Sequence, residues 1–502
     1  MSLPTFANRY LDEAPDSLYR FSEPTPAPDP ALLMTNRALG EELGLDADAL
    51  VGSTATALWS GTRLPESTRP IALAYAGHQF GQPVPRLGDG RAIMLGQITD
   101  PCGRMRDLQL KGSGRTAFSR GGDGWAALGP VLREYLVSES MHALGIPTTR
   151  ALAAATRGAM LTRQFGPESD AVLTRVAASH LRFGSFEYLA HRGDTDALQA
   201  LVDMAVNWHD PDLRDQSPAD RAAGLLARVI DRTARLVSEW LRVGFIHGVM
   251  NTDNMTISGE TLDYGPCAFM DGFRPDRVYS SIDASGRYAW NQQPRMAHWN
   301  LTRLAECLVP LLDDTEAGGV ECAEQQLATF TERFDRHYHQ VLAAKLGLAD
   351  RHGTSPAGTS ADAELAERFL GLMARHEADF TNTWRALADG PPDDPAQIDR
   401  MRRRLGADDR LQSWLVDYTA RLAEANVSEN RRCERMRQAN PAVIPRNHQV
   451  ESVLAAARAG DIGPAQRLET ALARPYEASS SNEWLRTPPA PDEVVPATFC
   501  GT

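Results

Sequence analysis

The spacing of apolar residues changes along the chain from short runs to long helical periods. Between residues 71 and 115, and again in AVLTRVAAS, apolar residues form short runs broken by glycines, which is typical of strands joined by tight turns. Residues 128–144 have a 3.6-residue apolar period that stops before Gly145-Ile146-Pro147, which predicts one helix. From about residue 185 onward the pattern is mainly helical. The longest predicted helices there span 220–245, 293–312 and 319–346.

This order of elements predicts a small strand-rich lobe followed by a helical lobe. We expect an N-terminal extension over 1–70 that packs on the lobes, a strand-rich lobe over 71–190 and a helical lobe over 191–345. A C-terminal helical region with an extended tail completes the chain over 346–502. Within it, the Gly- and Ser-rich residues 350–362 predict a flexible loop.

The stretch His247-Gly248-Val249-Met250-Asn251-Thr252-Asp253-Asn254 reads like a kinase catalytic loop with one residue moved. Such loops run His-x-Asp-x-x-x-x-Asn, in which the Asp is the base and the Asn binds the metal. Here Asn254 stands at the metal position, but Val249 replaces the base and cannot accept a proton. A carboxylate occurs instead at Asp253. The stretch therefore indicates a nucleotide enzyme whose reaction differs from ordinary phosphorylation.

Lys111 ends a predicted strand, and Glu134 lies inside the predicted helix that follows. Kinases hold the phosphates of ATP with a strand lysine that is paired with a helix glutamate. Taken singly, each residue is more simply a surface charge. Together, and in this order before His247, they favour a phosphate-binding pair.

Asn254 and Asp263 flank the apolar residues 255–257 and the turn Ser258-Gly259. A β-hairpin over this stretch would bring an amide and a carboxylate oxygen onto one hard cation such as Mg²⁺. In the alternative interpretation, Asn254 caps a turn and Asp263 ends a strand.

Other polar residues of the strand-rich part have both a phosphate-binding and an ordinary explanation. Glycines let backbone N–H groups approach a phosphate, but a sequence such as Gly88-Asp89-Gly90 is more often a hairpin turn. Arginines bind phosphate oxygens bidentately, yet the residues alone favour ordinary solvated or ion-paired side chains for Arg175 and Arg182. Asp123-Gly124 lies in a glycine run that indicates a mobile loop or, less often, a lid over a ligand.

Composition narrows the classes of function. The chain of 502 residues has a net charge of −13, which argues against a general nucleic-acid binder because such proteins need a basic surface. No apolar run approaches the roughly 20 residues that a membrane helix needs, and residues 1–20 do not resemble a secretory signal. The six cysteines are scattered without a C-x-x-C pair, which suits a reducing compartment. We therefore expect a cytoplasmic protein that binds neither nucleic acid nor membranes.

Several long motifs resemble one known family. GHQFGQPVPRLGDGRA, LQLKGSGRTAFSRGGDG, REYLVSESMHALGIPTTRAL, HGVMNTDNM, LDYGPCAFMD and QQPRMAHWNLTRLAE are similar to the selenoprotein O (SelO/YdiU) family of pseudokinases, and the likeness covers nearly the whole chain. It implies a two-lobed, protein-kinase-like α+β fold in which ATP is held in a flipped orientation. The implied reaction moves AMP from ATP to hydroxyl side chains of other proteins and releases pyrophosphate. Transfer of UMP is ascribed to some members.

The resemblance also implies a role for each matching residue. Contacts to the nucleotide phosphates are implied for Gly88, Gly90, Arg91, Lys111, Asp123 and Gly124, and contacts to the terminal phosphates for Arg175 and Arg182. Glu134 would pair with Lys111, Asp253 would accept the proton, and Asn254 and Asp263 would bind the metal. Some members also pair a cysteine that follows Asp-Tyr-Gly with one near the C-terminus. Here Cys267 and Cys500 are the candidates for such a bridge, and two unpaired cysteines are the alternative.

We expect Mg²⁺- or Mn²⁺-dependent transfer of AMP from ATP to Ser, Thr or Tyr hydroxyls, so ATP and protein substrates are the expected partners. A base at position 249 is unnecessary if the nucleophile attacks the α-phosphorus. Two alternatives remain open at this point. One is a kinase that moves the γ-phosphate to a protein or a small molecule, and the other is a non-catalytic regulator that binds nucleotide.

Overall fold

The computed structural model describes residues 4–163, 166–351, 359–406 and 409–499. Its strands are β1 (Tyr19–Phe21), β2 (Ala31–Thr35), β3 (Ile71–Leu73), β4 (Gly77–Gln79), β5 (Gln82–Val84), β6 (Ala92–Thr99), β7 (Met105–Lys111), β8 (Ala126–Ala127), β9 (Arg150–Arg163), β10 (Gly166–Ala177), β11 (Phe245–Ile246) and β12 (Ala268–Phe269).

Toward the C-terminus, helices replace strands as the main element. They are α1 (Arg9–Glu13), α2 (Arg37–Glu42), α3 (Gly52–Trp59), α4 (Leu128–Ala143), α5 (Phe183–Ala190), α6 (Thr195–His209), α7 (Pro218–Val243), α8 (Gln293–Leu312), α9 (Glu316–Lys345), α10 (Ser360–Arg375), α11 (Phe380–Ala386), α12 (Pro395–Leu405), α13 (Asp409–Glu424), α14 (Glu429–Ala439), α15 (Asn447–Arg458) and α16 (Gly463–Leu472). The chain is therefore a mixed α/β protein. Within the described ranges, no helix is long and apolar enough to cross a membrane.

Eight strands form one antiparallel sheet in the order β1-β3-β6-β7-β10-β9-β2, with β8 paired to β10. Both edge strands, β1 and β2, come from the first 70 residues. This N-terminal segment is therefore part of the sheet itself. Its helices α2 and α3 pack on one sheet face, where Trp59 is fully buried.

The alternation of side chains along β7 and β10 decides which residues face α4. Leu108 and Leu110 of β7 belong to the core formed with α2 and α3, so Lys111 lies on the opposite face. Leu173 of β10 pairs in register with Lys111 and packs in the core formed with α4, and Arg175 follows two residues later on the same face. The sheet thus presents Lys111 and Arg175 together toward α4.

The helices predicted at 128–144, 220–245, 293–312 and 319–346 are confirmed as α4, α7, α8 and α9. Helix α7 ends because Gly244 adopts the left-handed conformation, with φ 71°. The chain then enters β11, which pairs with β12 through Phe245 opposite Phe269. The loop between these two strands, residues 247–267, is closed at its base by this pairing.

The C-terminal region is helical. Helices α10–α14 enclose a separate core that includes Trp384 and Trp414, whereas α15 and α16 pack with α4 beneath the sheet. Of the flexible loop predicted at 350–362, residues 352–358 lie outside the described residues, and α10 already begins at Ser360. The tail predicted to be extended contains one 3₁₀ turn at Glu483–Arg486 within its described part.

Candidate active site

A cleft of about 910 Å³ opens between the face of the sheet covered by α4 and the loop 247–267. Its walls include every residue that the sequence analysis assigned to nucleotide, metal or catalysis. These are Gly88, Gly90, Arg91, Lys111, Asp123, Gly124, Glu134, Arg175, Arg182, Asp253, Asn254 and Asp263. The fold therefore gathers into one cavity residues that are widely separated along the chain.

Three cationic side chains converge on Asp263. Lys111 Nζ and Arg175 Nη2 lie 2.6 and 2.7 Å from its Oδ1. Arg182 Nη1 lies 2.9 Å from its Oδ2. Burial alone would raise the pKa of Asp263, but the charges of Arg175, Lys111 and Arg182 outweigh it and hold that pKa well below its usual value. Asp263 is therefore ionised and holds three cations together on one wall of the cleft.

Glu134 completes this cluster from α4. Its Oε2 lies 2.6 Å from Lys111 Nζ, and its Oε1 lies 2.7 Å from Arg175 Nη2. Burial acts to raise the pKa of Glu134, yet the neighbouring Arg175 and Lys111 charges keep it lowered. The ion pair between a strand lysine and a helix glutamate is thus present in the structure, with Arg175 as a second partner that the motif did not indicate.

Asp253 lies in the short 3₁₀ turn Thr252–Asn254. Among the described residues, its buried Oδ1 has no hydrogen-bond partner. Its backbone carbonyl oxygen accepts a hydrogen bond from Arg182 Nη1 at 2.6 Å. Burial raises the pKa of Asp253 to about 6, although Arg182 opposes the change. The carboxyl group is thus suited to accept a proton near neutral pH.

His247 and Asn254 fix the shape of the loop. His247 Nε2 donates to the carbonyl oxygen of Leu262 at 2.9 Å, and the backbone N–H of Val249 donates to His247 Nδ1 at 3.3 Å. Asn254 Nδ2 donates to the carbonyl oxygen of Val249 at 3.0 Å, so its amide oxygen is the group available to a cation. His247 therefore has a structural role, and its burial lowers its pKa.

The prediction of a β-hairpin between Asn254 and Asp263 is wrong. The chain does turn at Ser258-Gly259, but Thr256 bridges to Arg182 and Thr261 bridges to Thr148. Both arms of the turn are therefore paired with other segments. Asp263 reaches the cleft instead through a left-handed backbone conformation, with φ 64°.

The segment Gly88–Gly90 is fixed by the residue between its glycines. Asp89 is buried, and its Oδ2 accepts hydrogen bonds from Leu73 N at 3.2 Å and Gln109 Nε2 at 3.0 Å. The hydroxyl of Thr116 donates to the carbonyl oxygen of Asp89 at 2.6 Å. Asp89 was not among the predicted site residues, although its place between two glycines was the available signal.

Asp123, Gly124 and Arg91 lie at the outer part of the cleft. Asp123 Oδ2 accepts a hydrogen bond from Arg163 Nη1 at 2.7 Å, and its side chain is 47% exposed. Gly124 has φ 78°, and a Cβ there would lie 2.2 Å from the carbonyl carbon of Gly114, so only glycine fits. Arg91 lines the cleft where its carbonyl oxygen accepts the N–H of Gly112.

Glu187 and His78, which adjoin the loop of Asp253, were not among the predicted site residues. Glu187 is almost completely buried, and its Oε1 lies 3.2 Å from His78 Nδ1. Burial raises the pKa of Glu187 to about 7. The backbone N–H of His78 donates to Thr252 Oγ1 at 2.7 Å, which ties this pair to the loop. A single acidic residue in the otherwise uncharged helix α5 was the sequence signal.

A candidate cation site in the cleft combines an amide oxygen with a carboxylate. In the described parts of the chain, no three His, Cys, Asp or Glu side chains converge as metal ligands. The amide oxygen of Asn254 and the ionised carboxylate of Asp263 both line the cleft, and oxygens of these kinds suit Mg²⁺ or Mn²⁺.

Cys267 is buried below the cleft and donates to the carbonyl oxygen of Tyr264 at 3.4 Å. Burial raises the pKa of this thiol to about 11. Cys500 lies outside the described residues, so the proposed bridge to Cys267 stays a prediction. The described part of the C-terminal tail reaches the residue next to Cys267, because the Thr498 hydroxyl donates a hydrogen bond to the carbonyl oxygen of Pro266.

Comparison with known proteins gives consistent matches. A family model described as protein adenylyltransferase SelO matches residues 4–473. The protein nucleotidyltransferase YdiU of Alkalilimnicola ehrlichii is 50% identical over 499 residues, which cover 99% of this chain and 98% of that protein. Proteins of the same name from Rhodopseudomonas palustris and Cereibacter sphaeroides are 49% identical over 498 residues and 51% identical over 479 residues, which cover 99% and 95% of both chains, respectively.

Proposed function

The chain belongs to the SelO family and is a nucleotidyltransferase, and within that class we propose that it transfers AMP from ATP to Ser, Thr or Tyr hydroxyls of proteins. The observation that carries this proposal is the cluster around Asp263. Lys111, Arg175 and Arg182 lie within 2.9 Å of that carboxylate. The same cleft contains the buried carboxyl of Asp253.

We further propose that the chain has the two-lobed arrangement of protein kinases. The antiparallel sheet with α4 would form the smaller lobe, and the helices from α5 to α9 would form the larger one. The ion pair of 2.6 Å between Lys111 on a strand and Glu134 on the next helix supports this assignment. So does the position of the loop 247–267 directly after the long helix α7.

The cationic cluster suits stabilisation of pyrophosphate as a leaving group. When the α-phosphorus is attacked, its bond to the bridging oxygen breaks and negative charge develops on the β- and γ-phosphates. Lys111, Arg175 and Arg182 are already held side by side by Asp263 and Glu134, so little reorganisation is needed when phosphate oxygens enter. Arginine pairs also match the geometry of phosphate oxygens.

Asp253 is the proposed proton acceptor. With a pKa raised to about 6, it is mostly ionised at neutral pH and still basic enough to take the proton of an attacking hydroxyl. Val249, at the position where kinases have their base, is apolar and almost completely buried. The base is thus displaced along the loop, which fits attack at a phosphorus other than the γ-phosphorus.

Asn254 and Asp263 are the residues that we propose hold Mg²⁺ or Mn²⁺. Their fit rests on an amide oriented by its bond to Val249 and on a carboxylate that its neighbours keep ionised. Entry of the triphosphate offers Lys111, Arg175 and Arg182 new acceptors and thereby frees oxygens of Asp263. When bound, the ion supplies charge neutralisation at the phosphates.

Labelling with radioactive ATP tests the reaction. Incubation with α-³²P-ATP and protein acceptors should label protein, whereas γ-³²P-ATP should not, and the intact mass of a labelled acceptor should increase by one AMP group. Asp253→Asn should reduce the rate of labelling on the order of 100-fold or more, and Asp417→Asn, at a carboxylate that is 47% exposed on α13, should leave it unchanged. Label from the γ-position alone would show a kinase, and ATP binding without any label would show a regulator. Competition between ATP and UTP measures which nucleotide is preferred.

A further inference from the structure

The hairpin β4–β5 has an unusual residue at its turn. Phe80 and Gly81 join Gln79 to Gln82, and both have positive φ, at 51° and 84°. A two-residue turn with two positive φ values is normally made by Asn, Asp or Gly. Glycine adopts this conformation freely, but an aromatic residue there is a strained outlier. Strain of this kind persists where the surroundings enforce it, and it clusters at functional sites.

Backbone hydrogen bonds attach this hairpin to the loop that carries the proposed base. His78 N donates to Thr252 Oγ1 at 2.7 Å, and Phe80 N donates to Asn251 Oδ1 at 3.0 Å. Gly77 touches Asp253 itself, because a Cβ at Gly77 would lie 2.5 Å from Asp253 Oδ1. The position of Phe80 is therefore fixed relative to Asp253.

Phe80 and Ile282 are two apolar residues of the cleft wall. The Phe80 ring is half-buried and meets Tyr288 edge to face, with 5.2 Å between ring centroids. Ile282 is 59% exposed. Both residues line the same cleft as Asp253, whereas Lys111 and Arg175 of the cationic cluster come from the sheet.

We propose that Phe80 and Ile282 form the docking surface for the acceptor polypeptide and receive an apolar side chain next to the hydroxyl that is modified. This proposal rests on the proposed function, because the acceptor hydroxyl must reach Asp253. A polypeptide that contacts the hairpin is positioned relative to that carboxyl through Thr252 and Asn251. Because this turn holds Phe80 in place of a small polar residue, an aromatic ring faces the incoming chain.

Synthetic nonapeptides with one central Tyr provide the probe. One peptide carries Leu on both sides of the Tyr, and the other carries Ser. Transfer from α-³²P-ATP gives KM for each peptide, and calorimetry gives Kd for ATP with Mg²⁺. The wild-type protein should prefer the Leu-flanked peptide, and equal KM values for the two peptides would overturn the proposal.

Phe80→Asn and Ile282→Asn are the informative variants, because Asn tolerates the positive φ of residue 80. Each should raise KM for the Leu-flanked peptide about tenfold, as loss of an apolar anchor does, with Kd for ATP unchanged. Val416→Asn is the matched control, since Val416 is also 59% exposed but lies on α13, and its KM should equal that of wild type.

The outcomes separate the two proposals. Unchanged KM in Phe80→Asn and Ile282→Asn, or the same rise in Val416→Asn, would overturn the docking surface and leave the proposed function intact. Because Asn relieves the backbone strain, the Tm of Phe80→Asn should not fall. A fall in Tm together with weaker ATP binding would show that Phe80 only supports the fold. If the wild-type protein transfers no α-label to either peptide or to proteins, the proposed function fails and this inference fails with it.

Discussion

His247 Nε2 donates a hydrogen bond to the carbonyl oxygen of Leu262 at 2.9 Å, and this bond joins the beginning of the loop 247–267 to the residue next to Asp263. The imidazole is buried and accepts the N–H of Val249 on its other nitrogen. A residue that belongs to a catalytic motif by position thus braces the backbone of the loop that carries both carboxylates.

Replacement of His247 by Ala should therefore lower stability and activity together. The change leaves two buried backbone groups without partners, and each such group costs about 1–3 kcal/mol in the free energy of unfolding. Urea unfolding followed by circular dichroism measures this loss, and kcat measures the misplacement of the site. His376→Ala, at an exposed histidine, should stay within about 0.5 kcal/mol of wild type. Unaltered stability in His247→Ala would contradict the bracing role.

The pH dependence of transfer should follow Asp253. Because burial raises the pKa of this carboxyl to about 6, the group gains a proton and ceases to act as a base as the pH falls through about 6. We expect kcat/KM to drop about tenfold for each pH unit below that value. Asp253→Asn should lose on the order of 10²–10⁴-fold in kcat and show no inflection there. A wild-type profile that stays flat down to pH 4 would exclude Asp253 as the base.

The pair Lys111 and Glu134 should behave as one unit. Lys111→Met and Glu134→Gln should each reduce kcat/KM by on the order of 100-fold, because each releases the positioning of the cationic cluster. The double variant should cost little more than the worse single one. A parallel cycle on the exposed pair Arg368 and Asp417, which are 2.6 Å apart, should leave kcat/KM unchanged. Additive losses at Lys111 and Glu134 would show that the two side chains act independently.

Asp263→Asn should separate nucleotide binding from transfer. Loss of the carboxylate leaves Lys111, Arg175 and Arg182 without their shared anion, so metal-free ATP should bind several-fold more tightly in the variant. Transfer with Mg²⁺ should fall by on the order of 10³-fold. Calorimetry with EDTA or Mg²⁺, together with α-³²P labelling, measures both effects. Full activity in Asp263→Asn would refute the assignment of this residue to the metal.

Local patterns in the sequence were sufficient where a site residue lies on a regular element. The strand period places Lys111 on one face of β7, and the helical period of 128–144 places Glu134 in α4, so their pairing could be anticipated from order alone. The shifted carboxylate Asp253 was likewise visible from the motif. The position of each of these residues follows from contacts or spacings that are local in the sequence.

Pairings between segments that are distant along the chain could not be predicted from local patterns. Thr256 and Thr261 have the local pattern of a hairpin, but they pair with Arg182 and Thr148, which the fold brings beside them. The convergence of three cations on Asp263 has the same origin, because it depends on how β7, β10 and the loop 247–267 meet. No spacing along the chain encodes such a meeting, since tertiary context overrides local preference.

The placement of β1 and β2 has a practical consequence for shortened versions of the protein. These two strands, both from the first 70 residues, cap the opposite borders of the sheet by pairing with β3 and β9. A fragment that starts at Ile71 would leave two rows of unpaired backbone amides and carbonyls open to other chains, which is a template for self-association. The N-terminal segment thus protects the sheet from aggregation by covering both borders. Expression of a fragment that lacks it should yield insoluble material.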